Sequence, residues 1–126
     1  MSLQARKPLQ LELPRDSGAA ALARRVLAEI DSPTKTVAHR LALLATELVT
    51  NAVRHGRGDI RLRATFDAGA IRVEVCDDGE GFDVERSLAI EGSAAGGFGL
   101  KIVDRMADRW GADAARGLVW FELDFA

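Results

Sequence analysis

Thr46-Glu47-Leu48-Val49-Thr50-Asn51-Ala52-Val53-Arg54-His55-Gly56 is the stretch on which the fold and the chemistry of this chain turn. It completes an apolar stripe in which Val37, Leu41, Leu44, Leu48 and Ala52 recur at intervals of four, three, four and four residues, the spacing of one helix face. The spacing predicts a helix from near Thr34 to about His55, ended by Gly56-Arg57-Gly58. At about 100° per residue, Glu47, Asn51 and Arg54 fall within roughly 60° of one another around that helix. An acid, a neutral oxygen ligand and a cation therefore share one side. Taken alone, such a set is most often a solvated helix face.

Upstream, Leu9, Leu11 and Leu13 alternate with Gln10 and Glu12, the period of a strand with one buried face, and Pro14 stops it; an edge strand is expected. Asp16 or Ser17 is placed to cap a first helix carrying Ala20, Leu22, Ala23, Val26, Leu27 and Ile30, closed by Asp31-Ser32-Pro33. Arg24 and Arg25 stay on its outer side, where a basic face is ordinarily solvated and is a partner contact only by analogy.

Downstream, Ile60, Leu62, Ala64 and Phe66, then Ile71, Val73 and Val75, alternate with polar residues on either side of Asp67-Ala68-Gly69, predicting a hairpin with one wet face. Arg61, Arg63, Arg72 and Glu74 lie on that face, within reach of cross-strand charge pairing. The second strand runs into Cys76-Asp77-Asp78-Gly79-Glu80-Gly81-Phe82 and then into a weakly periodic segment read as a mobile loop. Helical spacing returns from Phe98 to Asp108, followed by a turn at Trp110-Gly111, a short strand near Ala112 to Ala115, and a last strand in which Val119, Phe121, Leu123 and Phe125 alternate with polar or amphipathic residues. One-faced strands with one-sided helices predict an α+β, two-layer α/β sandwich: a mixed, mostly antiparallel sheet with the helices on one face. At 126 residues the chain forms a single domain, 1–126.

Bulk composition narrows the partners. Seventeen basic and nineteen acidic residues are well mixed for a net charge of −2, which gives no electrostatic footprint for nucleic acid or an anionic membrane. Cys76 is the one cysteine, so there is no internal disulfide, and no Cys/His cluster has zinc-ligand spacing. The start, Met-Ser-Leu-Gln-Ala-Arg-Lys-Pro, lacks the apolar core of a signal peptide and no run approaches a membrane span, so a cytoplasmic protein is expected.

Three local signals carry chemistry in combination. Glu47 and Asn51 lie one helical turn apart. In Asp77-Asp78-Gly79-Glu80-Gly81, a strand-end carboxylate, a good acceptor for an exocyclic amine, sits beside two glycines that allow a tight turn; the plain alternative is an acidic surface turn. In Ala95-Gly96-Gly97-Phe98-Gly99-Leu100, side chains are absent where helix-start amides face an anion, although a simple hinge looks the same. The Lys and Ser/Thr of a P-loop and a strand-to-helix G-x-G-x-x-G are both absent, which disfavours two familiar nucleotide folds. His55 reads as a partner of the helix C-terminus, and His39 as plain surface.

In this order the motifs resemble the GHKL ATPase superfamily, whose Bergerat fold serves histidine kinases, gyrase and MutL. Glu47-Leu48-Val49-Thr50-Asn51-Ala52-Val53-Arg54-His55, Asp77-Asp78-Gly79-Glu80-Gly81-Phe82, the run from Gly96 to Arg105 and the final strand are most similar to the anti-sigma-factor serine kinases, over almost the whole chain. The resemblance implies ATP and Mg2+ as ligands. It implies Asn51 as the Mg2+ ligand, Asp77 as reader of the adenine amine, Gly79 and Gly81 as the adenine-side turn, and Gly97 and Gly99 as phosphate-facing amides. Arg54, His55, Phe98 and Leu100 are grouped with them as nucleotide-binding residues, and the segment of about 83–97 is the implied ATP lid. Glu47 is the implied general base toward a substrate serine. The implied partners are an anti-sigma antagonist of the STAS type and a sigma factor; family members often dimerise, but no extra apolar stripe here demands a homodimer. Two departures stand out: Leu118 or Val119 replaces a threonine common near the adenine site, and no phosphoacceptor-histidine helix pair precedes the motifs, so a complete sensor kinase is not expected. Two other outcomes share the motifs, a nucleotide-dependent partner-binding module without transfer and a GHKL ATPase that uses water as nucleophile.

Overall fold

The computed structural model describes residues 7–30, 34–67, 69–79 and 100–125. Among these residues, five strands form one sheet: β1 (Leu9–Leu13), β2 (Ile60–Phe66), β3 (Ala70–Cys76), β4 (Arg109–Asp113) and β5 (Leu118–Asp124). Their order is β1-β2-β3-β5-β4, and every described pairing is antiparallel, with no parallel member. β1 is an edge strand, as its Pro-terminated alternation implies.

The alternation decides which face is buried. Ile60, Leu62 and Ala64 of β2, Ile71, Val73 and Val75 of β3, and Val119, Phe121 and Leu123 of β5 are buried, whereas Arg61 and Arg63 are exposed. Onto the apolar face pack α1 (Ala19–Ala28), α2 (Ala38–His55, entered through a 3-10 turn at Thr34–Val37) and α3 (Leu100–Met106). Leu41, Leu44, Leu48 and Ala52 of the α2 stripe are all buried, and the result is the two-layer α/β sandwich. No helix among the described residues is long and apolar enough to cross a membrane.

On the wet face, Arg72 stacks over the Trp120 ring at 3.9 Å and pairs with Glu74 and Glu122, each at 3.2 Å. Arg63 stands opposite Glu74 in register, but Glu74 pairs with Arg72 along its own strand instead.

Two boundaries differ from the sequence expectation. Trp110 and Gly111 are not a turn but lie inside β4, and the residues after it, Ala114–Arg116, form a 3-10 turn. Gly111 is opposite Trp120, and a Cβ there would come within 2.7 Å of the indole, so the glycine makes room for an aromatic ring instead of bending the chain. Neither Asp16 nor Ser17 is the N-cap of α1; Gly18 is, and the Asp16 carboxylate accepts the Gly18 N–H at 2.7 Å just ahead of the helix. That helix ends at Ala28 with Glu29 as its C-cap, so Ile30 lies past its end; the expected close at Asp31-Ser32-Pro33 lies outside the described residues.

Candidate functional site

The end of α2, the end of β3 and the start of β5 converge on Asp77. Alternation along β3 turns Val73 and Val75 toward the helices, and Asp77, two residues past Val75, continues on that side with only 6% exposure. Its Oδ1 accepts the Gly79 N–H at 2.6 Å and the Arg57 N–H at 3.4 Å, and its own N–H donates to the Gly117 carbonyl at 3.2 Å. These bonds fix the carboxylate and leave Oδ2 toward Gly56.

Two glycines not expected from the sequence as site residues lie directly against Asp77. Gly56 follows α2 with ordinary negative φ, so its need for glycine is one of space: a Cβ there would overlap the Asp77 carboxylate. Gly117 enters β5 at φ 61°, and a Cβ would meet the carbonyl oxygens of Gly79 at 2.7 Å and Asp77 at 2.8 Å. The only signal for either was the glycine itself, and at Gly56 it had a sufficient local explanation in the helix end.

Asp78 faces the other way and is exposed. Its N–H donates to the Arg57 carbonyl at 2.8 Å, and its Oδ2 accepts the Asp59 N–H at 3.0 Å. That backbone bond, reinforced by the Arg61 guanidinium, holds the Asp78 carboxyl below the usual carboxylate range. The paired aspartates thus divide the work: Asp77 lines the interior and Asp78 ties down the Gly56–Asp59 linker.

On α2, Asn51 is buried to 6% exposure and its Nδ2 has no hydrogen-bond partner among the described residues, an orphaned donor of the kind an external acceptor would satisfy. One turn earlier, Glu47 is half-buried; burial pushes its carboxyl above the ordinary value, and the charge of Arg54 offsets part of that rise. Arg54 and His55 are exposed at the helix end, while Leu100, at the start of α3, is fully buried in the core. Gly81, Gly97, Phe98, Gly99 and the segment of about 83–97 lie outside the described residues. On the Asp77 side of β5 the side chain is Val119, buried and opposite Val75, so the missing threonine hydroxyl is replaced by hydrocarbon.

The arrangement fits a nucleotide and one hard cation. Gly56 and Gly117 let the backbone close tightly around Asp77, the Asn51 Nδ2 faces no acceptor among the described residues, and no cluster of three or more metal-ligating side chains occurs among them. The unpartnered Nδ2 is a donor that suits a phosphate or water oxygen, and the Asn51 amide oxygen is the group that would hold Mg2+, a cation that keeps several waters. A hollow of about 700 Å³ lies on the opposite, wet face, lined among others by Arg61, Arg63, Cys76 and Arg116, and is separated from Asp77 by the sheet itself.

The class follows from fold and site together, and the comparisons give it a family. The family model of the histidine kinase-like ATPase domain matches residues 13–121, and the chain belongs to that family. A similar solved structure is that of the RsbU and RsbW domains of Rv1364c from Mycobacterium tuberculosis, 23% identical with a TM-score of 0.62. The match covers 94% of this chain and 31% of that one, so the present chain spans about a third of the protein it resembles; at this identity the likeness concerns the fold. Among curated proteins none matches.

Proposed function

We propose that this domain is an ATP-dependent protein serine kinase of the anti-sigma-factor type, working in the cytoplasm on an anti-sigma antagonist of the STAS class and also binding a sigma factor. The observation that carries the proposal is Glu47: a half-buried carboxylate with raised proton affinity, one helical turn before the orphaned Asn51 amide. A base works best when its pKa approaches the operating pH, and burial moves Glu47 in that direction.

Asp77 accepts the adenine amine through the oxygen that its backbone bonds leave free. Asn51 offers its amide oxygen to Mg2+, whose charge, when bound, offsets that building on the phosphates. Glu47 takes the proton from the substrate serine as the serine oxygen bonds to the γ-phosphorus and the bond to the β-γ bridging oxygen breaks, releasing ADP. The similar structure, which joins RsbU and RsbW domains in one chain, supports a setting of this kind.

The test is incubation with Mg-ATP and a panel of antagonist proteins. Glu47→Ala is expected to lower serine phosphorylation by about 10²–10⁴-fold while ATP binding survives. Asp77→Asn and Asn51→Ala are expected to weaken binding itself. Undiminished phosphorylation in the Glu47 variant would remove the base assignment. One observation favours a second reading, a nucleotide-dependent clamp without transfer: Val119 supplies no hydroxyl beside Asp77. Sigma-factor affinity that depends on ADP, without turnover of ATP, would select it.

A further inference from the structure

The Gly56–Asp59 linker packs against Asp77, yet it has no regular structure of its own. On one side it is held by Asp77 and Asp78. On the other it is held by a residue distant in sequence: Arg15, from the connection between β1 and α1. The Arg15 Nε donates to the Gly58 carbonyl at 2.9 Å, and its Nη1 donates to the carbonyls of Ala52 and, at 3.1 Å, Val53.

Ala52 and Val53 lie in the last turn of α2, where the helix dipole favours a cation; the Ala52 carbonyl also accepts the Gly56 N–H at 3.0 Å, so Arg15 is a second donor to it. Capping alone would be an ordinary role. What sets Arg15 apart is that one planar group bonds at once to the helix end and to Gly58 beyond it, fixing the separation between them. Within that span lie Gly56, against the Asp77 carboxylate, and Arg57, whose N–H reaches Asp77 Oδ1 at 3.4 Å and whose carbonyl accepts the Asp78 N–H at 2.8 Å. Displacing Gly58 would carry these contacts with it.

We infer that Arg15 is a positioning residue for base recognition, holding the Gly56–Asp59 linker so that Asp77 presents one fixed acceptor to the nucleotide base. The inference rests on the reading of Asp77 as the adenine contact. Its signature is selective: loss of Arg15 is expected to harm recognition of the base and to spare recognition of the phosphates, which the family resemblance assigns to Gly97 and Gly99, away from the linker in sequence. Lysine is a poor substitute, since a single ammonium lacks the fork that spans both sets of carbonyls.

The experiment is calorimetric titration of the full chain with Mg-ATP, Mg-GTP and magnesium tripolyphosphate, for wild type, Arg15→Ala and Arg15→Lys, with thermal melts of each. Arg15→Ala is expected to weaken ATP binding roughly tenfold, the effect of losing about one hydrogen bond to a charged group, and to narrow the ATP-to-GTP preference. Tripolyphosphate binding is expected to stay unchanged, with Arg15→Lys intermediate for ATP. Equal weakening of ATP and tripolyphosphate, or unchanged ATP binding in both variants, would overturn the inference. If Arg15→Ala does not fold, the same comparison on Arg15→Lys decides it. Absence of ATP binding in the wild type would overturn the functional proposal together with the inference, whereas intact wild-type binding with insensitive variants overturns the inference alone.

Discussion

Glu47 is where the proposed chemistry and the stability of the fold pull in opposite directions. Burial raises its proton affinity in the folded state more than Arg54 lowers it. The folded protein therefore holds the Glu47 proton more tightly than the unfolded chain does, and that stabilising contribution is complete below the ordinary carboxylate pKa of 4.5. It is lost as pH rises from there through the raised value, so the ionised form, the one proposed to act as a base, burdens the fold at neutral pH. Glu47→Gln, close in shape and never charged, is expected to melt at a higher temperature than wild type near pH ~8, with the difference shrinking toward pH ~4. If attraction to Arg54 outweighed desolvation, the variant would instead melt lower at the higher pH. Melts across this range, paired with phosphorylation assays, are expected to show stability gained and transfer lost in the same protein.

Elements matter here chiefly for where their ends meet. Gly117, between the last 3-10 turn and β5, has φ 61° and leaves no room for a methyl group between two backbone carbonyls. Gly117→Ala is expected to cost about 1–2 kcal/mol from the left-handed conformation alone, more once the contacts are forced apart, and to weaken nucleotide binding by shifting Asp77. Urea denaturation with a parallel ATP titration measures both; stability within error of wild type would show that β5 can begin differently. The same junction marks the boundary of what sequence can reveal. The β2–β3 alternation and the α2 stripe were legible because each is a local period imposed by one buried face; Glu47, Asn51 and Asp77 were singled out as candidates because their motifs occur in a telling order. Gly56, Gly117, Arg57 and Arg15 were not singled out for the site, because their roles arise from contacts across 20 or more residues that no local pattern encodes. Gly111 misled for a related reason: beside Trp110 it has the form of a turn, and only the strand register reveals Trp120 against it.

Across the whole molecule, helices and sheet share one core cluster, running from Leu13 through Leu44 and Leu48 to Phe121 and Leu123, and the site is built on its margin. Phe121, fully buried in β5 and opposite Val73 and Trp110, is the largest of the fully buried side chains. Phe121→Ala is expected to cost about 3–5 kcal/mol, a large part of the roughly 5–15 kcal/mol typical of a domain. A ligand that binds only the folded state acts in the opposite direction, by about 2.7 kcal/mol at a hundredfold excess over its Kd. Mg-ADP at that excess is therefore expected to restore part of the stability lost in Phe121→Ala but not all of it, and to raise the wild-type midpoint by a similar free energy. Because Asp77 is fixed by the linker and by Gly117 while Phe121 lies deeper in β5, the variant's Kd for ADP should remain near wild type wherever it is folded. Chemical denaturation of both proteins with and without Mg-ADP checks this. A large rise in Kd in the folded variant would mean that the site depends on core packing as well as on its own hydrogen bonds; no nucleotide increment in either protein would remove the site from Asp77 altogether.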